Sequence, residues 1–166
     1  MNKIRVLMID DNIGLVDMVK EYFSSHAVIS IDYVAHDGID GVKLIKENLG
    51  NYDLIILDLI MPKKDGISVL EDVKDIENLP KIIVLTSYNT PEVIRKVASM
   101  NVNYFMLKPF ELPELEKKIL ESTNIINSSS KTLDLYHNNL QIAITKYFLH
   151  IIPITTIPTN FNSMSY

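Results

Sequence analysis

The sequence predicts a doubly wound α/β fold, in which five parallel strands form one sheet and five helices cover both of its faces. Two observations support this prediction. Between residues 3 and 107 the chain repeats short apolar runs rich in β-branched residues, which are typical of parallel strands buried on both faces. Segments with apolar residues at three- and four-residue steps alternate with these runs, as amphipathic helices do. Such alternation predicts a parallel sheet between two layers of helices.

The five expected strands differ in strength, since four are strongly apolar and one, residues 28–35, is weaker. The strong strands are residues 3–9, 53–57, 82–86 and 103–107. The helix patterns cover residues 13–23, 38–48, 66–75, 91–100 and 112–121. In the second helix the apolar positions are Ile39, Val42, Leu44 and Ile45. We expect the common flavodoxin-like strand order 2-1-3-4-5, which places the first strand beside the third.

The chain has room for one ordinary domain and a remnant, and its composition changes near residue 122. We place the folded domain at residues 1–122. Residues 123–131 are polar and serine-rich, which indicates a linker. The tail, residues 132–166, is shorter than the roughly 50 residues that an ordinary domain needs. Its only charged side chains are Asp134 and Lys146.

Composition and charge exclude several classes of function. Cysteine is absent, which excludes disulfides, thiolate metal sites and a cysteine nucleophile, and fits a reducing cytoplasm. The net charge of −5 is unlike that of a typical nucleic-acid-binding protein. The N-terminus lacks the features of a signal peptide, and no apolar run approaches the roughly 20 residues that span a bilayer. We therefore expect a cytoplasmic protein with no membrane partner.

Polar residues follow the expected strands at the sheet edge where an open α/β fold binds its ligands. Asp10 and Asp11 follow the first strand, and Asp58 follows the third. Thr86 ends the fourth strand and Lys108 follows the fifth. The predicted strand order makes the first, third and fourth strands neighbours. We therefore expect three carboxylates and a hydroxyl to meet in one crevice, with Lys108 as a mobile positive charge at its rim.

This acidic cluster predicts a bound cation. Three ionised carboxylates held together repel one another, and oxygen ligands in this number suit Mg²⁺, with Mn²⁺ or Ca²⁺ as alternatives. Taken singly, each acid also fits a helix cap or a turn, Thr86 a plain strand position and Lys108 a solvated surface charge. Their combination at four strand ends favours a metal and phosphate site. The histidines show no metal-ligand spacing and fit surface or packing positions: His26, His36, His137 and His150.

Four segments of the chain resemble the receiver domains of response regulators. They are IDDN (9–12), DLIILDLIMPKKDG (53–66), VLTS (84–87) and FMLKPF (105–110). The resemblance extends over residues 1–122. It implies a protein that takes a phosphoryl group from a histidine kinase or a histidine phosphotransfer protein and can form a phosphorylation-dependent homodimer. Such a protein is a phosphoacceptor rather than an enzyme, with at most self-phosphotransfer and slow loss of phosphate.

The resemblance also implies roles around the phosphoryl group. Asp58 resembles the phosphoacceptor, a carboxylate nucleophile. Lys108 resembles the lysine that binds one phosphoryl oxygen, and Thr86 the residue whose hydroxyl donates to another. Phe105 matches the aromatic switch position, which turns inward when the threonine moves. Pro109 matches a proline preceded by a cis peptide bond, which is mainly a feature of X–Pro bonds.

The same resemblance implies a set of metal ligands. Asp11 and Asp58 match carboxylates that bind Mg²⁺ directly, and the backbone carbonyl of Ile60 completes the protein ligands. Asp10 matches an acid that acts largely through water.

Within the family, two segments are most similar to the stage 0 sporulation protein A regulators of endospore-forming bacteria. They are DDNIGLVDMVKEYF (10–23) and DLIMPKKDGISVLE (58–71). Those regulators carry a helical DNA-binding domain after the linker. LQIAITKYFLH (140–150) resembles the opening of that domain, but the residues after it do not. We therefore expect the output domain to be truncated or frameshifted.

Two functions of different classes fit these features. One is a signalling switch or phosphorelay intermediate, and the other is a transcription factor that binds DNA if its output domain is complete. The tail is poor in Lys and Arg and shows no recognition helix, which favours the first. A third function, FMN carriage, is disfavoured because Asp10 and Asp11 would repel the phosphate after the first strand.

Two further positions bear on the lifetime of a phosphorylated state. In the family, the residues two beyond the phosphoacceptor and two beyond the threonine border the path of the water that hydrolyses the phosphoryl group. Here they are Ile60 and Tyr88. Both are bulky and neither offers an amide or carboxylate to orient water, so we expect slow hydrolysis.

Overall fold

The computed structural model describes residues 3–88, 90–100 and 102–123. Within these ranges five strands alternate with five helices, as the sequence predicts. The strands are β1 (Ile4–Ile9), β2 (Ile29–Ala35), β3 (Leu54–Asp58), β4 (Lys81–Thr86) and β5 (Tyr104–Leu107). The helices are α1 (Ile13–Phe23), α2 (Gly38–Glu47), α3 (Gly66–Val73), α4 (Pro91–Ala98) and α5 (Leu112–Ser122). The tail predicted at 132–166, and the predicted linker beyond Thr123, lie outside the described residues.

The strands form one parallel sheet in the order β2-β1-β3-β4-β5, so the predicted fold class and strand order are confirmed. The three central strands are β1, β3 and β4, and every residue of β3 is buried. Because all five strands run in the same direction, their carboxyl ends share one edge of the sheet. In the register of β1 and β3, Ile9 lies beside Leu57, which brings the residues that follow them to adjacent positions.

Each face of the sheet buries its own hydrophobic core, because successive residues of a strand point to opposite sides. Leu7 and Ile9 of β1 pack with buried residues of α2, α3 and α4. Val6 and Met8 pack on the other face with buried residues of α1 and α5. Burial on both faces explains why the strands are continuous apolar runs rather than alternating ones.

Side-chain caps start four of the five helices at polar residues. Asn12, Asp37, Asp65 and Thr90 each accept a hydrogen bond from a backbone N–H in the first turn of α1, α2, α3 and α4. The predicted helix boundaries agree with the structure to within two residues.

One apolar position of the helix pattern does not face the core. The spacing predicts Ile39 on the apolar face of the second helix, but it is 52% exposed. The face of α2 that meets the sheet contains Gly38, Gly41 and Ile45, at three- and four-residue steps. Ile39 follows Gly38 directly, so it lies about 100° around the helix from that face.

No helix within the described residues is long and apolar enough to cross a membrane.

Gly66, the first residue of α3, is packed tightly against the end of β3. A Cβ atom at this position would lie 2.2 Å from the Asp58 carbonyl oxygen and 2.7 Å from the Leu59 Cα. Both of these are backbone atoms, so relief requires the chain around Asp58 to shift. The absence of a side chain at 66 therefore fixes how closely α3 approaches the strand end.

We expect Gly66→Ala to lower the free energy of unfolding by about 1–3 kcal/mol, the usual cost of overpacking. Gly14→Ala in α1 is the matched control, because its new Cβ meets only the Asn12 side chain, at 3.5 Å. Helix propensity should make this control more stable by up to about 1 kcal/mol. Urea titrations followed by circular dichroism measure both changes. Equal stability of the two variants would show that a side chain at position 66 fits against the backbone of Asp58 and Leu59 without cost.

Candidate metal centre at the strand ends

Three carboxylates meet at the carboxyl edge of the sheet. Asp10 and Asp11 follow β1, and Asp58 is the last residue of the neighbouring strand β3. A carboxylate oxygen from each lies within 4.8 Å of those of the other two. Asp10 is fully buried, Asp58 is 5% exposed and Asp11 is exposed. The structure thus brings together the three acids that the sequence places at these strand ends.

Lys108 lies inside this cluster rather than at its rim, which corrects the sequence-based expectation of a mobile charge. Its side chain is only 16% exposed. The ammonium donates to Asp10 Oδ2 at 2.7 Å and to Asp58 Oδ2 at 2.8 Å. The cause is the short connection from β5, since the backbone N–H of Lys108 donates to the Thr86 carbonyl at 2.8 Å and holds the residue at the edge.

The pKa values of the paired groups follow from burial and charge. Burial raises the pKa of Asp10 above its ordinary value, although the bond from Lys108 and the N–H of Asn12, which donates to Oδ1 at 2.9 Å, act in the opposite direction. For Lys108, burial favours the neutral amine. The hydrogen bonds to Asp10 and Asp58 outweigh it, so the pKa of Lys108 is raised and the ammonium stays charged.

Asp58 is held from two sides. Its Oδ2 accepts from Lys108, and its Oδ1 accepts from the backbone N–H of Ile60 at 3.2 Å. The Ile60 side chain is 41% exposed beside the site. Asp58 is therefore the acid shared by the lysine and by the loop that joins β3 to α3 (residues 59–65, the β3–α3 loop).

Thr86 and Phe105 lie on neighbouring strands beyond this cluster. Thr86 ends β4, is fully buried, and its Oγ1 accepts from the backbone N–H of Tyr88 at 3.0 Å. Accepting this bond leaves the hydroxyl hydrogen available to a further acceptor. Phe105 pairs with Val84 in the sheet and packs, partly buried, against the core that contains α4. The Lys108–Pro109 peptide bond is cis, as expected.

Two contacts are not predicted from the sequence, and both involve the turn between β2 and α2. His36, which the sequence offers only as a surface or packing residue, donates from Nδ1 to the Asp10 carbonyl oxygen at 3.1 Å. Asp37 is 5% exposed and forms an ion pair with Lys63 of the β3–α3 loop. Both residues directly follow the second strand, so the rule that directs attention to the other strand ends also covers them.

The donor set suits a divalent cation of the Mg²⁺ type. All the side-chain ligands are carboxylate oxygens, and such a cation accepts a few of them while it keeps several waters. The single ammonium of Lys108 compensates only part of the charge of three neighbouring acids. Exposed Asp11 leaves one side of the cluster open to solvent, from which an ion can enter. The residues present therefore fit a magnesium site.

The fold and the site define a class of protein: a doubly wound α/β domain with an acidic cluster, a threonine and a lysine at the carboxyl edge of its sheet. The chain belongs to the response regulator receiver domain family, whose model matches residues 6–120.

Solved structures agree with this family. The receiver domain of the response regulator NarL from Mycobacterium tuberculosis is 25% identical, with a TM-score of 0.68 over 75% of this chain and 98% of its own. A DNA-binding response regulator of the LuxR family from Staphylococcus aureus is 26% identical, with a TM-score of 0.66 over 72% and 98%. A chain in the crystal structure of the CheX–CheY–BeF3–Mg²⁺ complex from Borrelia burgdorferi is 23% identical, with a TM-score of 0.67 over 72% of this chain and 89% of its own.

We expect Lys108→Ala to destabilise the metal-free protein by about 3 kcal/mol, because it leaves buried Asp10 without its compensating charge. Addition of Mg²⁺ should restore part of the loss by binding the folded state. Lys117→Ala is the control, since that side chain is 67% exposed and pairs loosely with Glu121. It should change stability by less than about 0.5 kcal/mol. Thermal unfolding with and without Mg²⁺ measures these effects. A Lys108→Ala variant as stable as the parent would show that Lys108 does not compensate the charge of Asp10.

Proposed function

We propose that this receiver domain accepts a phosphoryl group on Asp58 from a phosphohistidine protein, in a Mg²⁺ site, as a switch or phosphorelay intermediate. The observation that carries the proposal is the position of Asp58. It is the acid at the end of a fully buried central strand, and it contacts both the lysine and the adjoining loop amide. Asp10 makes the same two kinds of contact, with Lys108 and with the Asn12 N–H, but its side chain is fully buried, whereas that of Asp58 is 7% exposed.

In the transfer itself, a carboxylate oxygen of Asp58 attacks phosphorus. A bond from phosphorus to the Asp58 oxygen forms as the bond from phosphorus to the donor imidazole nitrogen breaks, and the electron pair of that bond returns to the imidazole. Lys108 moves its hydrogen bond from the carboxylate to a phosphoryl oxygen, which keeps its charge beside the developing negative charge. The Thr86 hydroxyl, whose hydrogen is available, donates to a second phosphoryl oxygen.

The metal ligands in this proposal are Asp11, Asp58 and the backbone carbonyl of Ile60, with Asp10 acting through water. A bound Mg²⁺ supplies positive charge that stabilises the transferring phosphoryl group. Support comes from the donor set, and from the CheX–CheY complex, a protein of the same fold whose structure contains BeF3 and Mg²⁺. Asp11, the exposed acid, is placed to take an ion from solvent.

The phosphodonor is proposed to dock beside α1. A groove of about 400 Å³ lies between α1 and the residues after β5, and Lys108 is among the residues that line it. Leu15, Met18 and Phe110 give the rest of the groove an apolar character, and Ile13 and Met18 are 60% and 48% exposed. A helix of a histidine kinase or histidine phosphotransfer protein that packs here would bring its phosphohistidine to the acidic cluster.

The biological setting that we propose is sporulation control in the cytoplasm, on the strength of the two segments similar to sporulation regulators. Phosphorylation-dependent dimerisation is part of this proposal. Direct DNA binding is the alternative, and it depends on the tail outside the described residues. A gel-shift titration at low salt separates the two, because tight specific binding by this chain alone would favour the transcription factor.

We expect Asp58→Asn to abolish phosphorylation by a small acyl phosphate with Mg²⁺ present, because an amide cannot act as the nucleophile. Intact-protein mass spectrometry should show the phosphoryl adduct on the parent and none on the variant. Asp53→Asn is the control, because Asp53 lies before β3 and pairs with Arg5. Undiminished labelling of the Asp58 variant would refute the assignment.

Asp11→Ala should weaken Mg²⁺ binding and slow labelling while it leaves the fold intact or more stable, since repulsion among the carboxylates falls. Calorimetric titration with Mg²⁺ gives the affinity, and thermal unfolding gives the stability. An unchanged affinity would count against Asp11 as a ligand.

The phosphoryl group should be long-lived, because the Ile60 and Tyr88 side chains, 41% and 53% exposed, are bulky and offer no amide or carboxylate to orient water. Substitution of Ile60 by Asn and Tyr88 by Glu should speed loss of phosphate by about 10-fold, a small part of what positioned polar groups contribute. Loss is timed by mass spectrometry after removal of the donor. Equal lifetimes of the phosphoryl group in the parent and the double variant would show that Ile60 and Tyr88 do not slow its hydrolysis.

A further inference from the structure

We propose that Asp37 and Lys63 are positioning residues, which fasten the β3–α3 loop to the start of α2 and thereby set the metal affinity of the site. The inference rests on the proposed function, because the loop carries Ile60. Neither residue contacts the three acids of the cluster among the hydrogen bonds and ion pairs of the described residues. Their role is exerted through the path of the backbone.

Asp37 has both carboxylate oxygens engaged. Oδ1 accepts from the backbone N–H groups of Ile39 and Asp40, each at 2.9 Å, which caps α2. Oδ2 accepts from the Lys63 ammonium. The side chain is 6% exposed, so the acid is held in one orientation by the helix and offers a fixed anchor. The bond from Lys63, with help from the Asp40 N–H, lowers the pKa of Asp37 and keeps it ionised.

Lys63 adopts a backbone conformation that ordinarily favours glycine. Its φ is 64°, in the left-handed region. The conformation is therefore unfavourable for lysine, and the ion pair with Asp37 provides a compensating interaction that a glycine would lack.

Backbone packing joins the same two segments. A Cβ on Gly38 would lie 2.2 Å from the Lys64 carbonyl oxygen, so the first residue of α2 packs directly against the loop. Within the loop, the N–H of Lys64 donates to the Pro62 carbonyl at 2.7 Å, and the N–H of Gly66 donates to the Leu59 carbonyl at 3.0 Å. The loop is thus closed on itself and fastened to α2 near its middle.

This attachment matters because the ligand proposed at Ile60 is a backbone carbonyl. Its direction depends on the course of the loop and not on a side-chain rotamer. Ile60 lies three residues before Lys63, and its N–H also donates to Asp58. If the loop is released from α2, the carbonyl and the acceptor carboxylate lose their relative orientation.

Charge and position make opposite predictions for Lys63→Gln, which gives a decisive experiment. The variant removes a positive charge near an acidic site, so electrostatics alone would tighten Mg²⁺ binding. Loss of positioning would weaken it. Lys64→Gln is the matched control, because it removes the same charge one residue away and its partner, Asp72, lies on α3.

We expect calorimetric titration of the full chain with Mg²⁺ to show roughly 10-fold weaker binding for Lys63→Gln. This is the smallest loss of affinity typical of residues that orient metal ligands, because Lys63 is 62% exposed. Lys63→Arg, which keeps the ion pair, should retain the parent affinity. Lys64→Gln should bind as the parent does or slightly more tightly. Binding by Lys63→Gln as tight as that of Lys64→Gln would overturn the proposal.

Hydrogen exchange of the metal-free protein separates this inference from the proposed function. The amide of Gly66 should exchange several-fold faster in Lys63→Gln than in the parent, and at the parent rate in Lys64→Gln. Equal exchange in all three would refute the fastening of the loop. Failure of the parent itself to bind Mg²⁺ would refute the proposed metal site, and the exchange rates would still decide whether the loop is fastened.

Discussion

The repulsion among three carboxylates at the carboxyl ends of adjacent strands is the constraint on which the site depends. Asp10 and Asp58 are almost fully buried, and a buried charge is tolerated only when it is paired. Lys108, which follows the edge strand β5, pairs with both acids. The negative charge that Lys108 leaves uncompensated is what a divalent cation would neutralise.

The sheet supplies the rigidity that such an arrangement needs. β3 is buried along its whole length, so Asp58 stands at the end of a strand that is packed on both faces. Two glycines near Asp58 pack directly against backbone carbonyl groups and leave no room for a methyl group. Gly66 packs against the Asp58 carbonyl, and Gly38 packs against the Lys64 carbonyl. These approaches fix the loops that follow the strands. The positions of these loops around the acids thus depend on Gly38 and Gly66.

Most of the fold and the three acids could be predicted from the sequence, because both follow from short-range patterns. Apolar runs of strand length mark β1, β3 and β4, and the doubly wound topology then places the ends of those strands together. The exposed position of Ile39 could not be predicted, because two of the three buried residues of α2, Gly38 and Gly41, are glycines and carry no hydrophobic signal. Helical spacing alone made Ile39 appear to belong to the buried face.

The site was predicted less completely than the fold, because several of its contacts are made by loops. The burial of Lys108, the bond from His36 to the Asp10 carbonyl and the ion pair of Asp37 with Lys63 all depend on how loops fold over the sheet edge. Asp37 lies 26 positions before Lys63 in the chain, and no periodicity relates them. Hydrogen bonds of this kind become visible only when the backbone positions are known.

The central claim is that Asp58 is the phosphoacceptor of a metal site built from the strand ends. The most direct test is a crystal structure of the chain grown with Mg²⁺ and BeF3, the pair present in the CheX–CheY complex. The account predicts BeF3 attached to an Asp58 carboxylate oxygen, in contact with Lys108 and Thr86, and Mg²⁺ held by Asp11, Asp58 and the Ile60 carbonyl. BeF3 on another residue, or Mg²⁺ held by other ligands while Asp58 stays free, would contradict it.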